Sequence, residues 1–446
     1  MVKMSRENLY IVWRKLKAAG NKLCFVACRI FPIRNNRISI CTFEGKGGFG
    51  CNPKYIAEEL HQRNPNYEFI WFVNDLSKEF PPYIKKVPNT LWSRAFWLST
   101  SRIWIDNYRK PYGTCKRRKQ YYVNTWHGTI GFKSIGLWRG HKFSKMAYLV
   151  SRNDSDMIDG VVIDSKWCAE MFPKGMVYSG DFLWDGAPRC DVLYGDRTLY
   201  KERFRKKHGL ALDARIIMFA PTFREGSVNG RRVVFSELWT LDFMRMLKNL
   251  EQRFGGSWYL CVRVHPQLAA RAEDCRDSQL EGKMIDVSRE DDMYEILAGM
   301  DAFITDYSSA AMDASFAHMP VFIYADDIGQ YVNDRGSMLW NMTTDSDAII
   351  RNNRQMTPGM DVILPYPVAQ NNEELERRIL KFDMEDYLSK MKTFEEKVEL
   401  TFDGKASLRI ADRIEAYEKA VDEGELKIIV LYIQPVCALV VIGVKS

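Results

Sequence analysis

Histidine and paired cysteines, from which most zinc sites are built, are scarce in this sequence. Six of its 446 residues are histidine. Its ten cysteines show no metal-like spacing, and Cys24 and Cys28 have no second pair that would complete a site. No Asp-x-Asp motif stands at the end of a predicted strand either. We therefore expect reduced thiols, no metal and no cofactor.

Positive charge is missing from most of the chain. The net charge is +7, but residues 1–37 hold nine Lys or Arg against the single Glu7, which leaves about −1 for the remainder. A nucleic-acid groove needs a basic face on the folded body. We therefore expect no nucleic-acid partner, and we interpret the basic amino-terminal residues as an attachment segment.

The predicted attachment segment, residues 1–36, combines its charge with an apolar stripe. Val12, Trp13 and Leu16 recur at helical spacing among Lys and Arg. This pattern predicts an amphipathic helix on an anionic membrane surface, and a basic helix packed on the protein's own core is the alternative. A secretory signal is disfavoured, because Arg29 interrupts the apolar stretch and no small-residue cleavage site follows it.

Long apolar runs are absent until the carboxyl end. Residues 428–444 are almost wholly apolar, interrupted by Gln434 and Pro435. This length is at the lower edge of the roughly 17 to 25 residues that cross a bilayer. Membrane insertion, a helix buried in the body and a reading-frame artefact all remain open for this tail.

Short apolar runs alternate with amphipathic stretches along the rest of the chain, as in βαβ units. We predict an α/β protein of GT-B architecture, with two facing Rossmann-like domains and a cleft between them. A single helix over about 384–418 is expected to pack across both domains. The predicted units are, in order, residues 1–36, 37–185, 186–400, 401–427 (a closing helix) and 428–446 (an apolar tail).

Two of the six histidines follow strand-like runs. His127 lies in Asn124-Thr-Trp-His-Gly-Thr-Ile-Gly131, directly after the run 121–123, and His265 follows the run 259–264. Ligands of open α/β sheets bind outside the carboxyl ends of the strands. This placement predicts catalytic roles for both side chains, whereas a structural role is the better interpretation of the other four histidines.

Hydroxyl groups follow another predicted strand, in Thr305-Asp-Tyr-Ser-Ser309. The run 310–317 after it is typical of a helix, and the hydroxyls and free amides at a helix start can hold a phosphate. An ordinary Ser N-cap is the alternative. Asp306 is expected to orient this loop, because a carboxylate facing a diphosphate would repel it.

Several of these motifs, in this order, resemble the CDP-glycerol glycerophosphotransferase family of teichoic acid synthesis. The resemblance rests on Thr125-Trp-His-Gly-Thr129, Arg263-Val-His-Pro266 and Ile304-Thr-Asp-Tyr-Ser-Ser309. Four further pieces agree in order: Asn52-Pro-Lys54, Gly186-Ala-Pro-Arg-Cys-Asp191, Ala220-Pro-Thr-Phe-Arg224 and the stretch 331–336. One departure is Ile130-Gly-Phe-Lys133, where the family usually has proline and paired lysines, so acceptor recognition is expected to differ.

The resemblance implies a reaction and its partners. Glycerol phosphate would pass from CDP-glycerol, or ribitol phosphate from CDP-ribitol, to a hydroxyl of an acceptor, with release of CMP. The implied acceptor is a lipid-linked polyprenyl diphosphate saccharide. The protein would work as a peripheral protein at the cytoplasmic face of the cell membrane, with residues 37–185 binding the acceptor and residues 186–400 binding the CDP donor.

The resemblance and the residue chemistry together assign the candidate residues. His127 and His265 are catalytic, and which of them is the base remains open. Loop amides, hydroxyls and guanidinium groups bind the donor diphosphate; these residues are Gly128, Thr129, Arg224, Thr305, Ser308, Ser309, Arg335 and Gly336. The nucleotide-base region is assigned to Val287, Ser288 and Glu295.

A glycine-rich stretch, Gly45-Lys-Gly-Gly-Phe-Gly50, fits G-x-G-x-x-G after a predicted strand. Asn52 as N-cap and Pro53 as first helical residue would start the helix only after the third glycine, unlike the dinucleotide-binding fingerprint. We interpret Gly45, Lys46, Gly47 and Gly48 as an acceptor or phosphate loop, with a tight turn and an NAD site as alternatives. The competing functions are a GT-B glycosyltransferase using a nucleotide sugar, a nicotinamide oxidoreductase and a non-catalytic scaffold.

Overall fold

The structure is a computed structural model. It describes residues 6–222, 224–228, 231–235, 240–264, 280–335, 338–340 and 364–423. The predicted apolar tail at 428–446 lies outside these residues.

A seven-stranded sheet, parallel throughout, forms the first half of the molecule. Its strands are β1 (Arg34–Cys41), β2 (Glu68–Val73), β3 (Ile84–Pro88), β4 (Ser101–Asp106), β5 (Tyr121–Asn124), β6 (Gly160–Val162) and β7 (Asp181–Leu183). The spatial order is β3-β2-β1-β4-β5-β6-β7. Every residue of β4 is buried, which explains why its sequence lacks the alternation of a half-exposed strand.

The second half repeats the arrangement. Its strands, in chain order, are β8 (Arg215–Phe219), the hairpin β9 (Arg224–Val228) and β10 (Arg231–Phe235), β11 (Trp258–Val262), β12 (Met284–Asp286), β13 (Ala302–Thr305), β14 (Val321–Tyr324) and β15 (Val368–Ala369). The main sheet is parallel, in the order β12-β11-β8-β13-β14-β15, and among the described residues the two hairpin strands pair only with each other. In both sheets the spatial order of the strands reverses beside the first strand, as in a Rossmann fold. The predicted fold of two Rossmann-like halves is therefore confirmed.

Helices cover the sheets. They are α1 (Arg6–Ala27), α2 (Cys51–Arg63), α3 (Leu91–Thr100), α4 (Lys145–Ser155), α5 (Lys166–Met176), α6 (Thr198–Lys207), α7 (Phe243–Phe254), α8 (Tyr294–Ala298), α9 (Ala310–Ser315), α10 (Ile328–Arg335), α11 (Asn372–Leu380), α12 (Met384–Val398) and α13 (Ala406–Asp422). Several begin at residues whose side chains accept a backbone N–H three positions on, such as Ser165 and Asp242.

Two details of the predicted helices are wrong. The single late helix is two, because Glu399 ends α12 in the left-handed region and Gly404 turns the chain at φ +71°, where a Cβ would meet Tyr194. Helix α2 begins at Cys51, with Gly50 as its N-cap, so Asn52 is not the cap. The side chain of Asn52 is fully buried and donates hydrogen bonds to the carbonyls of Thr125 and Trp126.

The first and last helices both pack on the first sheet's half. Ile410 and Ile414 of α13 belong to a core cluster with strands β1 and β2. Ala18 and Phe25 anchor α1, whereas its apolar residues on the other face are exposed. Among the residues that the structure describes, no helix is both long and apolar enough to span a membrane.

Candidate active site

The carboxyl ends of both sheets carry the predicted motifs. In the first sheet the order reverses between β1 and β4. The glycine loop follows β1, Asn107 follows β4, and the turn with His127 follows the next strand, β5. In the second sheet the order reverses between β8 and β13, and Ser308 and Ser309 follow β13. Such reversal points are where open α/β sheets bind ligands.

His127 is held in one tautomer. Its Nδ1 lies 2.7 Å from the backbone oxygen of Asn107. A carbonyl oxygen can only accept, so Nδ1 carries the hydrogen and Nε2 keeps its lone pair. Aromatic rings surround the imidazole, with centroids 4.4 Å away for Trp126, 5.3 Å for Tyr108 and 5.4 Å for Phe43. The side chain therefore has a fixed orientation and a basic nitrogen.

The surroundings of His127 keep the imidazole neutral. Burial lowers its pKa to about 4, and the positive charges of Arg189, Arg109 and Lys133 act in the same direction. The bond to the Asn107 carbonyl acts in the opposite direction. A histidine that is neutral at physiological pH, with Nε2 unprotonated, can accept a proton from a hydroxyl.

The turn that presents His127 is strained and well supported. Trp126 has φ +50°, an uncommon value for a bulky residue. The side chain of Asn124 accepts a hydrogen bond from the Trp126 amide at 2.8 Å, and Asn52 Nδ2 donates to the carbonyls of Thr125 and Trp126 at 3.2 and 3.1 Å. These bonds over-determine the turn, which is what a strained functional conformation requires.

The turn after β13 is fixed by Asp306, as expected. Its carboxylate accepts hydrogen bonds from the amide and the hydroxyl of Thr222, both at 2.8 Å. Ser309 is the N-cap of α9, but its side chain makes no capping bond. Ser308 Oγ accepts from the amide of Ala310 at 3.3 Å. Thr305 is fully buried, and its hydroxyl donates to the carbonyl of Ala220 at 2.7 Å, so it ties β13 to β8.

The two turns meet. A Cβ placed on Gly128 would lie only 3.0 Å from Ser309 Oγ. Thr129, the next residue, has a buried hydroxyl oxygen with no hydrogen-bond partner among the described residues. The structure thus brings together the turn that carries His127 in one half and the hydroxyl-rich turn of the other, which lie far apart in the sequence.

A third segment joins them. Met338 pairs with Lys133 in an antiparallel bridge, and the amide of Leu339 donates to the carbonyl of Phe132 at 2.7 Å. Trp340 Nε1 donates to the carbonyl of Gly131 at 3.0 Å. Residues 338–340 therefore run beside the loop that follows His127.

The other residues predicted to bind the donor or to take part in catalysis lie mainly in the second half. Arg224 is the first residue of β9. His265 and Gly336 lie outside the described residues. Among the base-region candidates, Val287 and Ser288 are buried at the end of β12, and Ser288 Oγ accepts from the amide of Val264 at 3.0 Å.

Glu295, the third base-region candidate, forms a contact between the two halves. Its carboxylate lies 2.6 Å from Lys54 Nζ, which also pairs with Asp292 at 2.6 Å. The glycine loop takes part in the same contact: a Cβ on Gly48 would lie 1.8 Å from the carboxylate of Asp291. Gly48 is thus needed where the halves approach, a role that the sequence interpretation missed.

Gly45, Lys46 and Gly47 form the first part of this loop. Gly45 has φ +79°, and a Cβ there would lie 2.5 Å from Asn89 Nδ2. Lys46 Nζ is exposed and lies 3.8 Å from the carboxylate of Glu44. A Cβ on Gly47 would lie 2.7 Å from Thr42 Oγ1. Tight packing therefore accounts for the glycines, and it leaves the predicted acceptor or phosphate role open.

Comparison with known sequences identifies the family. The family described as CDP-Glycerol:Poly(glycerophosphate) glycerophosphotransferase matches residues 23–357 of this chain. The chain belongs to this family. The family resemblance that the motifs indicate is thereby confirmed, and the match covers most of the chain.

Individual members of the glycerophosphotransferase family align at modest identity. A teichoic acid poly(glycerol phosphate) polymerase of Staphylococcus epidermidis is 28% identical over 383 residues, 83% of this chain and 50% of its own. A teichoic acid glycerol-phosphate transferase of Staphylococcus aureus is 24% identical over 430 residues, 92% of this chain and 98% of its own. The chain spans about half the length of the glycerol phosphate polymerases of S. epidermidis and Bacillus subtilis that it matches.

A solved structure with the same fold is the wall teichoic acid polymerase TagF. It superposes with a TM-score of 0.70 at 25% identity, covering 93% of this chain and 99% of that one. A TagF variant has also been solved after soaking with CDPG. This likeness agrees with the GT-B-like arrangement of two parallel sheets described above.

Proposed function

We propose that this chain is a polyol-phosphate transferase that moves glycerol phosphate from CDP-glycerol to a hydroxyl of a membrane-linked acceptor and releases CMP. The observation that carries the proposal is the approach of Gly128 to Ser309 Oγ. This approach supports the proposal because Gly128 follows His127 directly, so the turn that presents the imidazole lies against the turn of Ser308 and Ser309. Membership of the glycerophosphotransferase family and the likeness to TagF support the choice of donor.

The reaction follows from the chemistry of the residues. The acceptor oxygen attacks the β-phosphorus of the donor, the bond from that phosphorus to the CMP oxygen breaks, and the acceptor proton passes to His127 Nε2. Ser308 and Ser309 hold the diphosphate, with Thr129 as a further hydroxyl. His265, Arg224, Arg335 and Gly336 complete the donor site in this proposal. Phosphoryl transfer depends chiefly on such positioning and charge stabilisation.

The acceptor loop also enters the proposal. The turn Ile130-Gly-Phe-Lys133 runs beside residues 338–340, so the acceptor would reach His127 past this edge. We assign the first part of the glycine loop, Gly45 to Gly47, to the acceptor side because it lies at the carboxyl end of β1, in the same half as His127.

The test is CMP release by the purified protein. CDP-glycerol, CDP-ribitol and a nucleotide sugar are each supplied with and without a lipid-linked saccharide acceptor. Acceptor-dependent CMP from CDP-glycerol supports the proposal, and preference for CDP-ribitol corrects the donor. Turnover of the nucleotide sugar, with silence from both CDP-polyols, would instead make the chain a GT-B glycosyltransferase.

We further propose that α1 attaches the protein peripherally to the cytoplasmic face of the membrane. Leu16 and Leu23 of α1 are each 69% exposed, although Ala18 and Phe25 bury the opposite face. A surface groove of about 460 Å³ beside α1 is lined mainly by apolar side chains, with Lys15 and Lys145 among them. Apolar groups flanked by lysine fit an anionic lipid surface.

This attachment is tested by flotation with anionic liposomes. Leu16→Asp with Leu23→Asp is expected to abolish co-flotation, because two charges replace apolar contact with the lipid. The matched control is Leu199→Asp, a leucine that is 75% exposed at the start of α6. Flotation unchanged by the double substitution would contradict the assignment of α1.

A further inference from the structure

Arg189 is a completely buried arginine near the proposed site. It lies between the two sheets, in a 3-10 helix at Pro188–Leu193, and its side chain has no exposed surface. Its Nε donates to Tyr294 Oη at 2.6 Å and to Asp313 Oδ2 at 3.2 Å, and its Nη2 donates to Asp313 Oδ1 at 2.9 Å. The guanidinium therefore binds the carboxylate of Asp313 in a bidentate manner, through Nε and Nη2. Lysine cannot reproduce this geometry.

Asp313 belongs to the donor side of the proposed site. It lies in α9, which begins directly after Ser308 and Ser309. Tyr294 donates a second hydrogen bond to Asp313 Oδ2 at 2.7 Å. Because α9 is short and follows the turn without a break, the position of Asp313 sets the position of the two hydroxyls.

The backbone of Arg189 reaches the other half. Its amide donates to Asn52 Oδ1 at 3.0 Å, and Asn52 Nδ2 donates to the carbonyls of Thr125 and Trp126. Both Arg189 and Asn52 are fully buried. One continuous set of hydrogen bonds thus runs from α9 through Arg189 and Asn52 to the residue that precedes His127.

We propose that Arg189 is a positioning residue for the transfer reaction, which aligns the hydroxyl-bearing turn of Ser308 and Ser309 with the turn that presents His127. The inference rests on the proposed function for its substrate. It goes beyond that function because Arg189 acts through Asp313 and Asn52 and needs no contact with donor or acceptor.

Stability alone does not explain this arrangement. A buried Arg–carboxylate pair is often no more stable than apolar residues of similar volume. Arg189 Nη1 is buried and has no hydrogen-bond partner among the described residues, which adds a desolvation cost. A buried charged group kept at such cost is consistent with a role in fixing geometry.

The charge of Arg189 supplies a second readout. His127 is faced by the positive groups Arg189, Arg109 and Lys133 and by the ring of Tyr108, and the charge of Arg189 contributes to its lowered pKa. Removing that charge should let the pKa rise. The pKa therefore tests the electrostatic effect of Arg189 on His127, whereas kcat tests its effect on geometry.

Two variants separate geometry from charge. Arg189→Lys keeps the positive charge and loses the bidentate contact with Asp313. Arg189→Met with Asp313→Asn removes both charges, so that no unpaired carboxylate stays buried. The matched control is Arg205→Met with Asp301→Asn, which removes another largely buried Arg–Asp pair of the same half, at 2.5 Å. Each protein is checked by thermal unfolding before its kinetics are measured.

Arg189→Lys is expected to lower kcat for CMP release by about 10- to 100-fold, as misplacement of reacting groups by up to 1 Å does. The KM for CDP-glycerol and the acidic limb of the pH profile should stay near those of the parent. The charge-free pair should lower kcat similarly and also raise the His127 pKa, measured by NMR titration of its imidazole. The control pair should do neither.

Three results would overturn the inference. They are a kcat within twofold of the parent in both Arg189 variants, an equal loss in the control pair, and a His127 titration unmoved in the charge-free pair. A parent protein without CMP release would refute the proposed function instead. The His127 titration needs no turnover, so in that case it would still test whether the charge of Arg189 acts on His127.

Discussion

The contact between Gly128 and Ser309 can be perturbed by one methyl group. In Gly128→Ala the new Cβ would lie 3.0 Å from Ser309 Oγ, whereas ordinary contacts fall at 3.4–4 Å. The two turns must therefore separate by a few tenths of an ångström. A misplacement of 1 Å costs about 100-fold in rate, so we expect a loss of roughly 5- to 10-fold in kcat.

Stability should change little in this variant. Gly128 has no positive φ that would exclude a side chain, and alanine reduces the freedom of the unfolded chain by about 0.4–1 kcal/mol. This gain offsets part of the crowding. We therefore expect a free energy of unfolding within about 1 kcal/mol of the parent, which thermal and denaturant unfolding would measure.

The control is Gly329 in α10, a glycine with no positive φ. A Cβ there meets nothing within 4 Å, so Gly329→Ala should keep CMP release within about twofold. Ser309→Ala removes the oxygen that the new methyl approaches and leaves the Ser309 Cβ position at 3.7 Å. In that background the cost of Gly128→Ala should largely vanish. Unchanged turnover in Gly128→Ala, or the same loss in both backgrounds, would refute the predicted contact.

Two further predictions follow from charge. The kcat/KM profile should lose activity only as pH falls through about 4, because His127 must be neutral to accept a proton and its pKa is lowered to about 4; a limb near pH 6.5 would contradict this. Lys54→Met should cost about 3–5 kcal/mol of unfolding free energy, since it leaves the carboxylate of Asp292, which is only 10% exposed, without its ion-pair partner. Lys46→Met, which removes an exposed pair, should cost less than about 1 kcal/mol, and equal losses would refute the difference.

Local patterns in the sequence predicted much of the site. The strand before His127 and the strand before Ser308 are short apolar runs, and parallel sheets carry ligands at the carboxyl ends of such strands. That rule placed both motifs at the same edge without knowledge of any contact. The family resemblance then supplied the chemistry, and family membership is confirmed.

Contacts between distant residues were beyond such patterns. The sequence predicts that Asn52 caps a helix beside Pro53. Its side-chain amide instead donates to the turn of His127, which lies more than 70 residues away. The sequence predicts that Gly48 belongs to an acceptor or phosphate loop, yet Asp291 of the other half lies against it. Neither pairing leaves a periodic signal in the sequence, because each depends on how the two halves meet.

Arg189 shows the same limitation. It stands in the stretch Gly186-Ala-Pro-Arg-Cys-Asp191, which resembles the family but whose sequence pattern indicates no role for the arginine. Its importance became visible only through its bonds to Asp313 and Asn52. A sequence indicates that such an arginine is present, whereas the fold shows which groups it holds together.

The central claim is that His127 accepts the acceptor's proton beside a donor held by the turn of Ser308 and Ser309. The most direct measurement compares the parent with His127→Asn for CDP-glycerol binding by calorimetry and for acceptor-dependent CMP release. We predict donor affinity within a few-fold and a release rate lowered about 100-fold or more, the usual contribution of a general base. A variant that released CMP within a few-fold of the parent would contradict the claim.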